Sequence, residues 1–146
     1  MEVEWLILAD AAQVTGNKLY LLGGGWDRVT INKNPPVTHR MSLALAFRVP
    51  WNETNLKHTF EIEAADSDGN VIGKATGQFE IGRPAGLPPG SDQRTQIAAN
   101  VGLTITKLGT YVITARVDGA ADRSFPFYVV AGPAVSMGSG DQSPSA

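Results

Sequence analysis

Between Leu103 and Gly119 the chain runs through a Leu108-Gly109 turn into a strict alternation. Tyr111, Ile113, Ala115 and Val117 share one face, and Thr110, Thr114 and Arg116 the other. A period of two held over this length predicts a half-buried antiparallel strand. The same signature recurs along most of the chain. Residues 3–14 predict a strand with two apolar faces, Trp5, Ile7 and Ala9 on one and Leu6 and Leu8 on the other, hence a central strand covered on both sides. A turn at Thr15-Gly16-Asn17 leads into a second strand from Lys18 to Leu22 that resumes through Val29 and Ile31. It is interrupted by Gly23-Gly24-Gly25, where strand glycines point to a bulge or a close backbone approach. Residues 39–49 alternate most cleanly, with Met41, Leu43, Leu45, Phe47 and Val49 inward. Further strands are expected over 57–65, 71–81, 94–105 and 123–130. Gly73, Ala75 and Gly77 on one face of 71–81 call for a bulky neighbour such as a Trp or Tyr ring. Pro126 cannot donate to a ladder, so the last strand is expected at an edge or with a bulge.

About eight strands at this spacing, with no convincing helix, predict an all-β fold: an antiparallel two-sheet sandwich, immunoglobulin-like or a jelly-roll-like Greek key. Tyr111, shortly after a Leu-Gly turn, resembles the tyrosine corner of immunoglobulin-like sandwiches, where a buried ring ties its hydroxyl back to the turn. One domain is expected over residues 1–131. Residues 132–146 turn to Gly, Ser, Pro and Asp and read as a flexible tail.

Composition narrows the function classes. In 146 residues there are 16 Gly and 9 Pro, which suits a turn-rich β chain. Twelve Lys and Arg against 14 Asp and Glu, with no basic block, give little support to nucleic-acid binding. The absence of Cys rules out disulfides and thiolate chemistry. The acidic N-terminus and its short apolar run resemble neither a signal peptide nor a membrane span, so a cytoplasmic, non-membrane protein is expected.

ADAAQV followed by KLYLLGGGWD, then VPWNETN, GRPAGLPPG, LGTYVITARVDG and FPFYVV, resemble an uncharacterised family of small bacterial proteins. The resemblance runs from about Val3 to Val130. It implies a compact β fold and a bacterial origin, and it assigns no activity and no functional residue.

Candidate chemistry is sparse. The glycine triplet lacks the following helix that a phosphate-cradling loop needs. Asp66-Ser67-Asp68-Gly69-Asn70 resembles half a calcium loop, but Gly77 stands where the twelfth-position Glu belongs, so a hairpin turn is expected. No cofactor and no metal site is expected. The two histidines start from opposite ends of neighbouring strands, and His58, on an apolar face, reads as a satisfied core residue. Strand alternation places the connections at 15–17, 50–55, 82–92 and 119–121 at one end of the fold. Trp51, Asn52, Glu53, Asn55, Arg83 and Asp92 could converge there as a ligand- or partner-binding surface. Three functions compete. The first is a non-enzymatic module that binds a protein partner or itself. The second is a small-ligand binder of carbohydrate type with Trp51 as a stacking platform. The third is a hydrolase pairing Glu53 with Asp92, which would need the carboxylates about 5–9 Å apart.

Overall fold

The structure is a computed structural model that describes residues 1–133 and 135, apart from the side chains of 121 and 122. Most of the expected flexible tail therefore lies outside the described residues. Nine strands follow in order: β1 (Glu2–Thr15), β2 (Lys18–Gly24), β3 (Arg28–Ile31), β4 (Val37–Val49), β5 (His58–Asp66), β6 (Val71–Phe79), β7 (Gln93–Ile105), β8 (Gly109–Val117) and β9 (Ala120–Ala131). One short 3-10 turn, Trp51–Glu53, follows β4. The strands form a four-stranded sheet ordered β2-β1-β4-β7 and a five-stranded sheet ordered β3-β9-β8-β5-β6. The chain is all-β, as the alternation predicts.

Eight expected strands become nine because the segment from Lys18 to Ile31 is two strands in different sheets. Gly23 and Gly25 take positive φ values of 59° and 89°, a conformation glycine reaches without steric cost. The Gly25 N–H donates to the Leu8 carbonyl at 2.8 Å, and the Trp26 indole N–H donates to the Gly23 carbonyl at 2.7 Å. The chain then leaves the first sheet, and β3 pairs parallel with β9 from Arg28↔Tyr128 to Ile31↔Ala131. The close approach foreseen at the glycines is real, since a Cβ on Gly23 would collide with the Asp10 carboxylate. The purely antiparallel expectation is corrected by this one pair. Of the two expectations for the last strand, an edge or a bulge, β9 does carry a register shift where Ala115 pairs with Arg123 and Arg116 with Ala121, and the edge placement is corrected in part. β9 lies between β8 and β3, but β3 covers only its C-terminal end, so Pro126, opposite Val112, sits where β8 is its one pairing partner.

Inward residues of both sheets build a single core. β4 contributes Met41, Leu43, Leu45, Phe47 and Val49, and β7 contributes Val101, Leu103 and Ile105. The facing sheet contributes Phe60, Ile62, Tyr111, Ile113, Phe127 and Val129. Phe47 stacks on Phe79 with ring centroids 5.0 Å apart and lies 6.0 Å from Phe60, which joins the two layers. The longest seam is β4 with β7, in unbroken register from Val37↔Ile105 to Val49↔Gln93. Tyr111 is 1% exposed, stacks on Phe127, and donates its hydroxyl proton to the Lys107 carbonyl at 2.5 Å.

The small face of β6 meets different neighbours from those expected. A Cβ on Gly77 would lie 2.5 Å from the Phe60 ring. A Cβ on Gly73 would lie 2.7 Å from the Gly102 carbonyl oxygen and 2.7 Å from Leu103 Cδ2. A Phe ring and the backbone of β7, not a Trp or Tyr ring, occupy that space. Gly73 is thus where the two sheets touch along one edge. Gly73→Ala should force β6 and β7 apart and cost about 1–3 kcal/mol, the range for overpacking a close contact. Urea unfolding checks this against Gly102→Ala, at a glycine without a positive φ and with open space where its Cβ would be.

Candidate functional site

The expected loop end exists, and hydrogen bonds hold it together. After β4, Pro50 adopts an extended conformation and the 3-10 turn closes with Glu53 N–H donating to the Pro50 carbonyl. Buried Thr54 donates its hydroxyl to the Trp51 carbonyl at 2.7 Å. Arg83 reaches across from the loop after β6. Its Nε donates to Thr54 Oγ1 at 2.7 Å, its Nη2 donates to the Trp51 carbonyl at 2.9 Å, and its guanidinium carbon stands 4.0 Å from the Trp51 ring centroid. That cation–π placement occupies one face of the indole. Asn55 takes a positive φ of 60° and donates its N–H to the Ile81 carbonyl at 2.7 Å, so its role there is conformational. Glu53 Oε2 lies 2.9 Å from the Met1 amino group. Trp51, Glu53, Asn55 and Arg83 are therefore brought together, with Thr54 as their unforeseen centre. Asn52 and Asp92 are exposed and share no hydrogen bond or ion pair with them among the described residues.

Beside this clasp lies a group that the alternation located but did not explain. His58 is 4% exposed. Its Nδ1 is 2.7 Å from Asp118 Oδ2, and its Nε2 is 2.7 Å from the Glu53 carbonyl oxygen. Both partners only accept, so both ring nitrogens must carry protons and the imidazole is cationic. Burial opposes that charge, but the bonds to Glu53 and Asp118 outweigh it and hold the His58 pKa above the ordinary histidine value. Burial likewise pushes the Asp118 pKa up, yet the bonds from His58 and the Thr59 N–H prevail and bring it below the usual value. The cation ties the loop after β4 to the turn between β8 and β9. Among the described residues no three His, Asp or Glu side chains gather as a metal site. At the opposite end, the Asp66 carboxylate accepts from the Asp68 and Asn70 N–H groups, each at 2.9 Å, so its acidic loop is a hairpin turn.

The outer faces of the two sheets differ sharply. On the five-stranded sheet, Glu61, Glu63, Lys74 and Arg116 form an ion-pair network, with Thr76, Gln78, Thr114 and Ser124 around it. Val71, Val112 and Pro126 make a small apolar spot at one end of it. On the four-stranded sheet, cross-strand pairing aligns Trp5 with Ala46, Ile7 with Ala44, and Ala44 with Ala98. Ala9 pairs with Gly24, and Ala11 with Leu22. Leu22 at 73% and Tyr20 at 57% are the most exposed large apolar side chains among the described residues. Leu6 packs against the core, but Trp5 and Ile7, on the opposite face, are not among its members. At one end of this face Glu4 accepts two bonds from Arg94, at 2.9 and 2.7 Å, and pairs with Arg48 at 3.2 Å. These bonds pull its pKa below the ordinary carboxylate value.

The model of a family of unknown function, DUF6941, matches residues 4–130. The chain belongs to this family. No curated protein matches it. The match runs from β1 to the last residues of β9, so the two-sheet body is the family's unit and not an appendage to it. The family carries no assigned activity, so inference about function rests on the domain's own surfaces. Among the described residues no helix is long and apolar enough to cross a membrane.

A raised histidine pKa contributes stability that is complete below about pH 6.5, the unfolded value, and is lost as pH rises through the folded value. The His58 contribution to the urea midpoint should therefore be smaller at about pH 9 than at about pH 6. His58→Gln should remove that part of the slope and cost about 1–3 kcal/mol at pH 6, as for a lost hydrogen-bonded charge. Unfolding curves at both pH values for the two proteins check this.

Proposed function

We propose that the domain is a non-enzymatic protein-interaction module whose working surface is the outer face of the four-stranded sheet. The contrast between the two outer faces carries this reading. One sheet presents charges and hydroxyls to solvent, as a free antiparallel sheet does. The other carries half-buried Trp5 and Ile7 with exposed Ala11, Tyr20 and Leu22 on the outward side of β1 and β2, beside Arg40, Ser42, Gln96 and Asn100 on β4 and β7. Contiguous apolar surface of this kind marks interaction sites, whereas single exposed apolar residues do not. The bordering edge strand β2 adds to it. Its sequence, KLYLLGG, has one charge and no proline, so it lacks most of the devices that keep sheet edges from pairing.

The loop end supports the alternatives less. Arg83 occupies a face of Trp51, and Glu53 faces the amino terminus, which leaves Asn52 and Asp92 as the uncommitted groups for a carbohydrate or a hydrolytic pair. We read the architecture as an immunoglobulin-like sandwich. Adjacent β4 and β7 correspond to strands B and E, and the run β5-β8-β9 to C, F and G. The bond from Tyr111 to Lys107, at the start of β8, is where a tyrosine corner falls in strand F. A cytoplasmic setting belongs to the same proposal and suits a chain without Cys.

A photoreactive residue placed at Leu22 should yield protein adducts in living cells, while the same residue at Thr76, on the polar face, should yield none. Equal yields from both positions, or none from Leu22, would refute the assignment of this face.

A further inference from the structure

We infer that the four-stranded sheet is completed by an extended acidic segment of a partner protein, which adds as a strand to β4 over residues 37–41 in the place that β1 vacates. This gap is separate from the face that carries Leu22, and it stands or falls without that face.

The gap follows from the register. β1 runs beside β4 from Glu2↔Arg48 only as far as Ala9↔Ser42. The remaining residues of β4, down to Val37↔Ile105, have β7 as their one partner strand. Beyond Ala9, β1 pairs with β2 instead. The hairpin of β1 and β2 turns back, because the Gln96 side-chain amide, at the level of Ala46, donates to the Asn17 carbonyl at its tip at 2.9 Å. A strand that returns to this level leaves residues 37–41 uncovered on that side. Burial records the boundary. Every residue from Met41 to Phe47 is buried, whereas Thr38 and Arg40 are exposed and Val37 and His39 half-buried.

An edge of this kind asks for a strand. In an antiparallel ladder alternate residues turn both N–H and C=O to the same side, so about two of these residues aim theirs into the gap. Among the described residues, nothing outside the ladders hydrogen-bonds the backbone of residues 37–40. The stretch holds no proline, so every position can take a ladder bond. Two clefts open along it and share Thr38. One, of about 480 Å³, is lined by Asp10, Arg40 and Ser42, and the other, of about 240 Å³, by Lys33 and His39.

Charge selects the occupant. Arg40 and Lys33 are the cations lining the clefts, and neither joins an ion pair among the described residues. Burial holds the His39 pKa below the ordinary value, so that ring is neutral near pH 7. Asp10, the one carboxylate of the lining, stands at the end where β1 departs. An occupant antiparallel to β4 therefore places carboxylates opposite Arg40 and Thr38, apolar side chains opposite Met41, His39 and Val37, and a cation beside Asp10. Main-chain bonds to the edge supply affinity, and the cross-strand charge pairs supply register and choice of partner.

The probe is the acetylated and amidated peptide Lys-Val-Glu-Val-Glu-Val, set against its charge reversal Glu-Val-Lys-Val-Lys-Val. Each is titrated to about 1 mM into the isotope-labelled full chain and followed by amide NMR. The first peptide should shift the amides of residues 30–33 and 37–41 and slow hydrogen exchange at the gap-facing amides at least about tenfold. The reversed peptide should bind about tenfold more weakly, and Arg40→Glu, at an exposed position, should invert that preference. Lys33→Glu should weaken the first peptide about threefold. Circular dichroism melts confirm that each variant folds. No shift at the highest concentration, equal binding of the two peptides, or a preference that Arg40→Glu leaves unchanged would overturn the inference. So would amides of residues 37–40 that exchange as slowly as those of residues 43–47 in the free chain, since another copy or the chain's own residues 136–146 would then fill the gap.

Discussion

Phe47 stacked on Phe79 at 5.0 Å is the point where the two sheets become one body. Without cysteine the chain has no covalent tie between its layers, so burial of the inward faces against each other must supply the cohesion. Each fully buried Leu, Ile, Val or Phe contributes about 1.5–3 kcal/mol. Phe47, Leu43, Leu45, Leu103, Ile113 and Phe127 are each at most 1% exposed. That apolar contact has a steric counterpart at the β6–β7 edge, where Gly73 lets the backbones approach. The outer faces are held in register by this inner layer.

The loop end follows from the same constraint. A strand must end before its connection can turn, and at that end four connections crowd together. Arg83, Thr54, His58 and Asp118 stitch them with hydrogen bonds among otherwise orphaned carbonyls. Side chains that look available for a ligand are largely consumed in holding the end closed. A buried imidazolium is costly unless both its protons are accepted, and here Asp118 and the Glu53 carbonyl accept them. The raised His58 pKa therefore follows from its place between these two acceptors.

The outer sheet surfaces differ from each other in chemistry. The five-stranded sheet pairs its charges across strands, an arrangement that stays comfortable in water. The four-stranded sheet carries Trp5, Ile7, Tyr20 and Leu22 outward on β1 and β2, and Arg40, Ser42, Gln96 and Asn100 outward on β4 and β7. Its alanines have a structural consequence too: Ala44 and Ala46 are fully buried on an outer face because Ile7 and Trp5 stand beside them in register. The face is thus low along its alanines and raised at Trp5 and Ile7.

Period-two alternation was sufficient to read most of the strands and their inward residues, and the Asp-Gly pair to read the hairpin at Asp66, because each is a local consequence of the residues that form it. Counting strand reversals also gathered 51–55 with 83, since each strand carries the chain from one end to the other. It could not tell that Arg83 would lie over Trp51 or that Asp118 would meet His58, because residues far apart in the chain are matched by register and by the space between loops. The two apolar faces of β1 were legible in Leu6, Leu8, Trp5 and Ile7, but the expected cover on its outer side was an inference from pattern alone. Which sheet each strand joins was decided only in three dimensions. Pairing depends on long-range hydrogen bonds, and a glycine-borne change of direction at residues 23–25 moves β3 into the second sheet without altering the alternation on either side.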